Sequence, residues 1–405
     1  MPPSLPTELI ARFTARPRWR RELACVAGAV ALAAVVALVF ALPGRDRSIA
    51  DHPAVKAGHR LVAVGFEDLP GFSADDPSEA FAAFLRSCGH GRDESRLADV
   101  CLKAEALSDP DADAVRAFFV GNFRPYRVEP KDGAAVYTAY YEPVVPGSRV
   151  KTGRFATPLY PLPAGLEPVT GKTRPEGWDE TLTWGRRTER GFEPFYTRAE
   201  IDGGALDGAV KPLVYVEDSV EAFYIHIQGS TRIALPDGAL MRVGFAGKNG
   251  HPYSSVGKAM QAKGIVPDGG FSMDAMRAYF RANPDITPSL LQENRSYIFF
   301  REIAGLAPDL GPIGGEGVPL TAGRSIAVDT AYHRYGTPVF VDAELPIGKD
   351  RAREPFRRLM IAQDTGSAIK GPARADLFWG TGREAGSMAG GIKADGSFFV
   401  FVPKP

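Results

Sequence analysis

Apolar positions change their rhythm twice along this chain, and each change marks a different kind of segment. From Leu23 to Leu42 the residues carry no charge, a stretch long enough to span a bilayer as a helix. Arg16, Arg18, Arg20 and Arg21 precede it and Pro43-Gly44-Arg45-Asp46 end it. The arginines therefore stay on the cytoplasmic side and everything after Arg45 is exported. Residues 1–44 read as an N-terminal membrane anchor or signal segment; the length favours an anchor, with cleavage after Ala41 as the alternative.

After a linker and a short strand at Arg60 to Gly65, apolar residues recur at intervals of three and four. This spacing predicts helices at Pro77 to Cys88, Glu94 to Leu107 and Ala112 to Phe123. The period then falls to two. The run from Ala134 to Pro143 is an aromatic strand, and further strands are expected at Val214 to Glu217, Phe223 to Ile227, Leu240 to Phe245, Tyr297 to Phe300, Arg324 to Asp329, Val339 to Asp342, Leu359 to Gln363, Asp376 to Trp379 and Ser397 to Val402. Two stretches interrupt the series. Tyr160 to Gly191 is a long excursion rich in proline and glycine. Residues 254 to 294 return to helical spacing, at Ser255 to Lys263, Ser272 to Arg281 and Thr287 to Glu293. Many short strands separated by turn residues point to a mainly β fold of barrels with peripheral helices, and not to a doubly wound sheet.

Composition narrows the partner. With 405 residues there is material for two domains beyond the leader. Lysine and arginine total 48, as do aspartate and glutamate, and no basic block is interleaved with aromatics, so a nucleic acid is not the expected partner. Glycine (44) and proline (34) suit a turn-rich protein. Beyond Cys25 there are only Cys88 and Cys101, each on the apolar stripe of a predicted helix. In an oxidising compartment a disulfide between them is favoured over two unpaired core thiols.

Several chemistries lack their devices. The six histidines show no metal-ligand spacing, so no metal or other cofactor is expected. Asp109-Pro-Asp111-Ala-Asp113 starts like a calcium loop, yet Ala114 and Val120 occupy the glycine and glutamate positions. There is no GxSxG elbow and no phosphate-cradling GxxxxGK[ST]. Carboxylates remain. Asp329 and Asp364 close predicted strands, and Asp376 opens Asp-Leu-Phe-Trp. Each alone reads as a turn-former, but Phe378 and Trp379 offer Asp376 an apolar wall that raises its pKa and suits a general acid. Gln228-Gly229-Ser230 sits at the expected end of the Phe223 strand, beside Tyr137, Tyr140 and Tyr141 read as exposed aromatics. Amides, hydroxyls and ring faces are what a neutral sugar requires of a groove. His226 reads as a satisfied strand histidine, and Lys248 to Tyr253 as a turn.

Tyr137 to Pro143, Gln228-Gly229-Ser230, Gly244 to Tyr253, Asn294 to Phe300, Ala327-Val328-Asp329, Gln363-Asp364-Thr365-Gly366 and Asp376 to Gly380 together resemble the membrane-bound lytic murein transglycosylase A family, over roughly residues 60 to 402. The resemblance implies a double-psi β-barrel (residues 45–144 and 306–405) interrupted by a second, inserted β-barrel (residues 145–305), with a groove between them for a glycan strand. It implies Asp376 as catalytic acid/base supported by Asp364 and Asp329. The candidate substrate contacts are Thr138, Tyr140, Gln228, Gly229, Ser230 and Lys370. The implied reaction is cleavage of the β-1,4 bond between N-acetylmuramic acid and N-acetylglucosamine in peptidoglycan, without water, giving 1,6-anhydromuramyl ends. The alternatives are a polysaccharide hydrolase using an aspartate-activated water and a non-catalytic wall-binding scaffold. The expected setting is the bacterial periplasm, tethered to the inner membrane by residues 23–42. The partners would be peptidoglycan strands and other wall-remodelling proteins.

Overall fold

The structure, a computed structural model, describes residue 49, residues 52–90 and residues 96–405. The apolar run 23–42, Cys25 and the start of the helix expected from Glu94 lie outside the described residues. All the described strands belong to the unit His52–Pro405.

β1 (Arg60–Ala63), β2 (Phe123–Glu129) and β3 (Ala135–Glu142) come first, with the helices Ser78–His90, Arg96–Glu105 and Ala112–Asn122 between β1 and β2. A second set comes next: β4 (Val144–Ser148), β5 (Thr157–Leu159), β6 (Leu166–Pro168), β7 (Trp184–Thr188), β8 (Gly191–Glu193), β9 (Val214–Val216), β10 (Ser230–Ala234), β11 (Leu240–Lys248) and β12 (Ile298–Ile303). The chain then adds β13 (Ser325–Val328), β14 (Pro338–Leu345), β15 (Glu354–Asp364), β16 (Arg374–Thr381) and β17 (Lys393–Pro403).

The first three and last five strands share one sheet, in the order β1-β2-β17-β14-β15-β13-β16-β3. The eleven-residue β17 closes it, since Lys393 to Gly396 pair with β3 while Phe399 to Pro403 pair with β2. Six strands thus form a ring, which leaves no free edge between β3 and β17. Strands β4 to β12 lie between the two halves of this ring in sequence. Six of them form the sheet β12-β11-β10-β4-β9-β5, and a bridge from Pro161 to Phe300 joins its two ends. The Tyr160 to Gly191 excursion contributes the small sheet β6-β7-β8. The chain is mainly β with peripheral helices and an inserted β unit.

The three early helices hold to the ring through phenylalanines. Phe81, Phe84, Phe118, Phe119 and Phe123 form one buried cluster with Phe340, Phe399 and Phe401 of the ring. Cys88 and Cys101 are joined by a disulfide, with their Cα atoms 5.3 Å apart. Beside this cluster Arg324 donates bidentately to Asp75 (2.9 Å to each oxygen), and Leu359 N–H donates to the same carboxylate (2.8 Å). The ring and the insert are joined by Glu142, whose Oε2 accepts from Arg232 Nε of β10 (2.7 Å) and Thr381 Oγ1 of β16 (2.9 Å).

One predicted strand is a helix. Phe223 to Ile227 lies within the helix Ser219–Gln228. Its aromatic and β-branched residues favour extended structure, but Asp218 caps it by accepting from Glu221 N–H (2.8 Å), and Gly229 ends it at φ +78°. Ala222 and Ile225 pack in one buried cluster, while Val220, Phe223 and Tyr224 pack in another. A helix buried on several sides shows no polar stripe, so its period cannot be read from hydrophobicity.

Candidate active site

The site is built on one row of residues running across four strands. Thr138 of β3 is registered with Asp376 of β16, Asp376 with Ala327 of β13, and Ala327 with Asp364 of β15. Residues in register on neighbouring strands share a face, so both carboxylates and the threonine stand on one side of the ring. A bulge places Asp364 there: the β13–β15 register slips between Ile326 and Ala327, and without the slip Ala327 would face Gln363. Gln363 is held the other way, its Nε2 donating to Ala83 O and Ser87 Oγ (2.9 Å each) and its Oε1 accepting from Ser325 Oγ (2.6 Å).

The row forms part of the wall of a groove of about 1100 Å³. Ring residues Thr138, Tyr140, Asp364, Lys370, Arg374 and Asp376 line it together with Gln228, Gly229, Ser230, Phe245, Lys248 and Tyr253 of the insert. Asp376 Oδ1 accepts from Thr138 Oγ1, and Arg374 Nη2 donates to that same Oγ1 (2.7 Å). Burial raises the pKa of Asp376. The Arg374 charge and the Thr138 bond oppose the rise, Asp364 adds to it, and the net direction is upward. Asp364 accepts three hydrogen bonds: from Tyr140 Oη (2.6 Å) at Oδ2, and from Gly315 N–H and Thr365 N–H (2.8 Å each) at Oδ1. Burial still pushes its pKa up against those three donors. Tyr140 itself is shifted well upward by burial, so its hydroxyl keeps its proton and donates.

Asp329 does not join this row. It is buried at the end of β13, where Oδ1 accepts from Ala331 N–H (3.1 Å) and Oδ2 from Gly371 N–H (2.9 Å), and Lys370 Nζ lies 3.9 Å from Oδ1. It pins the segment between Asp364 and Asp376, as a strand-end turn-former does. Lys370 is 70% exposed at the rim.

Other expectations need correction. Tyr137, Tyr140 and Tyr141 are buried, not exposed. Tyr137 Oη donates to Ser397 O (2.7 Å), and Tyr141 Oη accepts from Arg277 (3.0 Å). Of the aromatics lining the groove, Phe245 and Tyr253 are the most exposed, at 44% and 36%, and Tyr335 is partly buried; none stands out from the core aromatics by spacing. Gln228 is at a helix end, and its Oε1 accepts Tyr141 N–H (2.9 Å), which ties the insert to β3. Trp379 projects from the opposite face of β16, against Phe356 (centroids 5.7 Å apart), so Phe378 alone stands on the Asp376 face, packed on Tyr140 (5.4 Å). His226 is a buried helix residue whose Nδ1 meets Arg198 (3.0 Å). Sequence reasoning also missed Glu316, which lines the groove and accepts from Ser87 Oγ (2.7 Å); no motif surrounds it.

Comparison with known proteins identifies relatives of this chain. Residues 136–301 match the model of the MltA specific insert domain and residues 324–402 that of the 3D domain. The chain is 30% identical to the membrane-bound lytic murein transglycosylase A of Escherichia coli K12, over 67% of this chain and 67% of that protein. Its fold is similar to the crystal structure of a membrane-bound lytic murein transglycosylase from Agrobacterium tumefaciens, with TM-score 0.77 and 35% identity over 85% of this chain and 98% of that one. It is also similar to Escherichia coli MltA with bound chitohexaose, with TM-score 0.61 and 26% identity over 85% and 94%. On this identity and coverage, and with the insert and 3D domains matched in order, the chain belongs to the membrane-bound lytic murein transglycosylase A family.

Proposed function

We propose that this chain is a peptidoglycan lytic transglycosylase that cleaves the β-1,4 bond between N-acetylmuramic acid and N-acetylglucosamine without water, with Asp376 as its single acid/base. One observation carries the reading. A carboxyl group whose pKa burial raises stands in a long groove with a donor chain, Arg374 to Thr138, already aimed at one of its oxygens.

In the first step Asp376 gives its proton to the glycosidic oxygen as the bond to the anomeric carbon breaks. The carboxylate so formed is met by the Thr138 hydroxyl and the nearby Arg374 charge, which need no reorganisation to stabilise it. In the second step the carboxylate takes the proton of the muramyl 6-hydroxyl as that oxygen closes on the anomeric carbon, which restores the acid and yields the 1,6-anhydro ring. The intramolecular nucleophile replaces water, so a second catalytic carboxylate is not required, unlike the two-carboxylate hydrolase scheme. Asp364, once ionised, disfavours ionisation of Asp376 and counters positive charge at the anomeric carbon. Asp329 acts as a positioning residue for the turn. The groove takes a glycan strand, and residues 23–42 tether the protein to the inner membrane on its periplasmic side. Mass spectrometry of fragments released from sacculi by the full-length protein tests this. Anhydromuramyl ends support it; reducing ends would make the protein a hydrolase, and binding without any release would make it a scaffold.

A further inference from the structure

Lys248 is a groove charge that no carboxylate meets among the described residues. It ends β11, and the turn after it is locked. Asn249, fully buried, donates to Tyr196 O and Arg295 O and accepts Tyr297 N–H (2.9 Å each). Gly250 sits at φ +90°, with the Trp184 carbonyl 2.4 Å from where a Cβ would be. His251 Nε2 lies 2.8 Å from Phe195 O. A lysine on such a base is aimed, not merely displayed at a surface. Its ammonium reaches from the insert to the ring, 3.4 Å from Ser367 Oγ, and Lys370 lines the same groove.

Among the described residues no carboxylate lies within ion-pair distance of Lys248, nor of Arg301, which lines the same groove. Lys370 has only the turn-bound Asp329 at 3.9 Å. A half-buried ammonium costs free energy unless an anion meets it, and a like charge in the same groove adds to that cost. Lys248 is lowered from the usual lysine range by burial and by Lys370, which agrees with this geometry.

We propose that Lys248 and Lys370, one from each side of the groove, form a carboxylate subsite that engages the peptide stem of the glycan strand, so that the enzyme prefers strands whose stem carboxylates are free to strands whose stem carboxylates are blocked. This rests on the transglycosylase reading. In a stem-bearing strand each muramyl lactyl carboxyl is tied up in the amide bond to its stem, so the backbone there is uncharged, whereas the stems carry free carboxylates. Two ammonium groups set against an uncharged chain would have no partner; on a stem they have one.

The test compares the full-length protein on two substrates: glycan strands with native stems and strands whose stem carboxylates have been amidated. The wild type should turn over native-stem strands about three- to tenfold better, in kcat/KM, than amidated ones, with the advantage shrinking as salt rises. Lys248→Met should lower that ratio towards one, and Lys248→Arg should keep most of it. An unchanged ratio in Lys248→Met, or equal turnover of native and amidated stems by the wild type, overturns the subsite. If no substrate yields anhydromuramyl ends, the transglycosylase reading fails instead. If Lys248→Met is poorly folded, the amidated substrate with wild-type enzyme still decides the matter.

Discussion

Asp364 and Asp376 stand opposite the same residue, Ala327, one on each side of it. Neighbouring strands are separated by about 4.8 Å, so the two backbones are roughly 10 Å apart, with only a methyl group between their side chains. Ala327 is buried beside Tyr140 and Phe378. Ala327→Val should therefore widen this arrangement or displace Tyr140. Turnover should fall at least tenfold, while stability falls by about 1–3 kcal/mol; activity on sacculi together with a thermal melt separates the two effects.

Removing the proposed acid should do more. Asp376→Asn keeps the shape and loses the proton, and turnover should drop about 10²- to 10⁴-fold. Binding of isolated strands should persist. Wild-type-like release of anhydro products would exclude Asp376 as the acid.

The pH profile has a definite sign. On the proposed mechanism the reacting form of Asp376 is protonated, and its pKa is raised, so the rate should fall as pH rises through that value. Thr138 stabilises the anion and holds the pKa down. Thr138→Val therefore should move the alkaline limb to higher pH while lowering the maximal rate; a limb that moves to lower pH would contradict the assigned bond.

Glu316 gives a stability prediction. Burial pushes it up to about 7, with the Ser87 hydroxyl pulling the other way. Its folded pKa lies above its unfolded one, so its favourable contribution is present at acidic pH and is lost as pH rises through about 7. Glu316→Gln should melt like the wild type at pH near 5 (on the order of the unfolded carboxyl's range). At pH around 8 it should be more stable, by on the order of 1–3 kcal/mol. Equal melting temperatures at both pH values would refute this.

The buried pair of Arg324 and Asp75 links the segment before the helix Ser78–His90 to the start of β13 and to β15. Asp75→Ala leaves a buried guanidinium without its anion, and unfolding should become easier by about 3–5 kcal/mol, as read by urea denaturation.

Much of this molecule is decided locally. The early helices, most ring strands and the aspartates at strand ends follow from spacing, caps and turns, because a periodic face and a capping side chain act over a few residues. What spacing cannot carry is which strands become neighbours. The row Thr138, Asp376, Ala327, Asp364 joins residues up to 238 positions apart, and it depends on a bulge that turns Gln363 away. The same limit explains the helix read as a strand at Phe223, where burial by separate clusters erased the period, and the tyrosines read as exposed, since a tyrosine looks alike in sequence whether its ring is packed or open. The chain by itself determined the chemical groups and their local geometry. Long-range pairing alone decided which carboxylates share a groove, because register and burial come from contacts with residues distant in sequence.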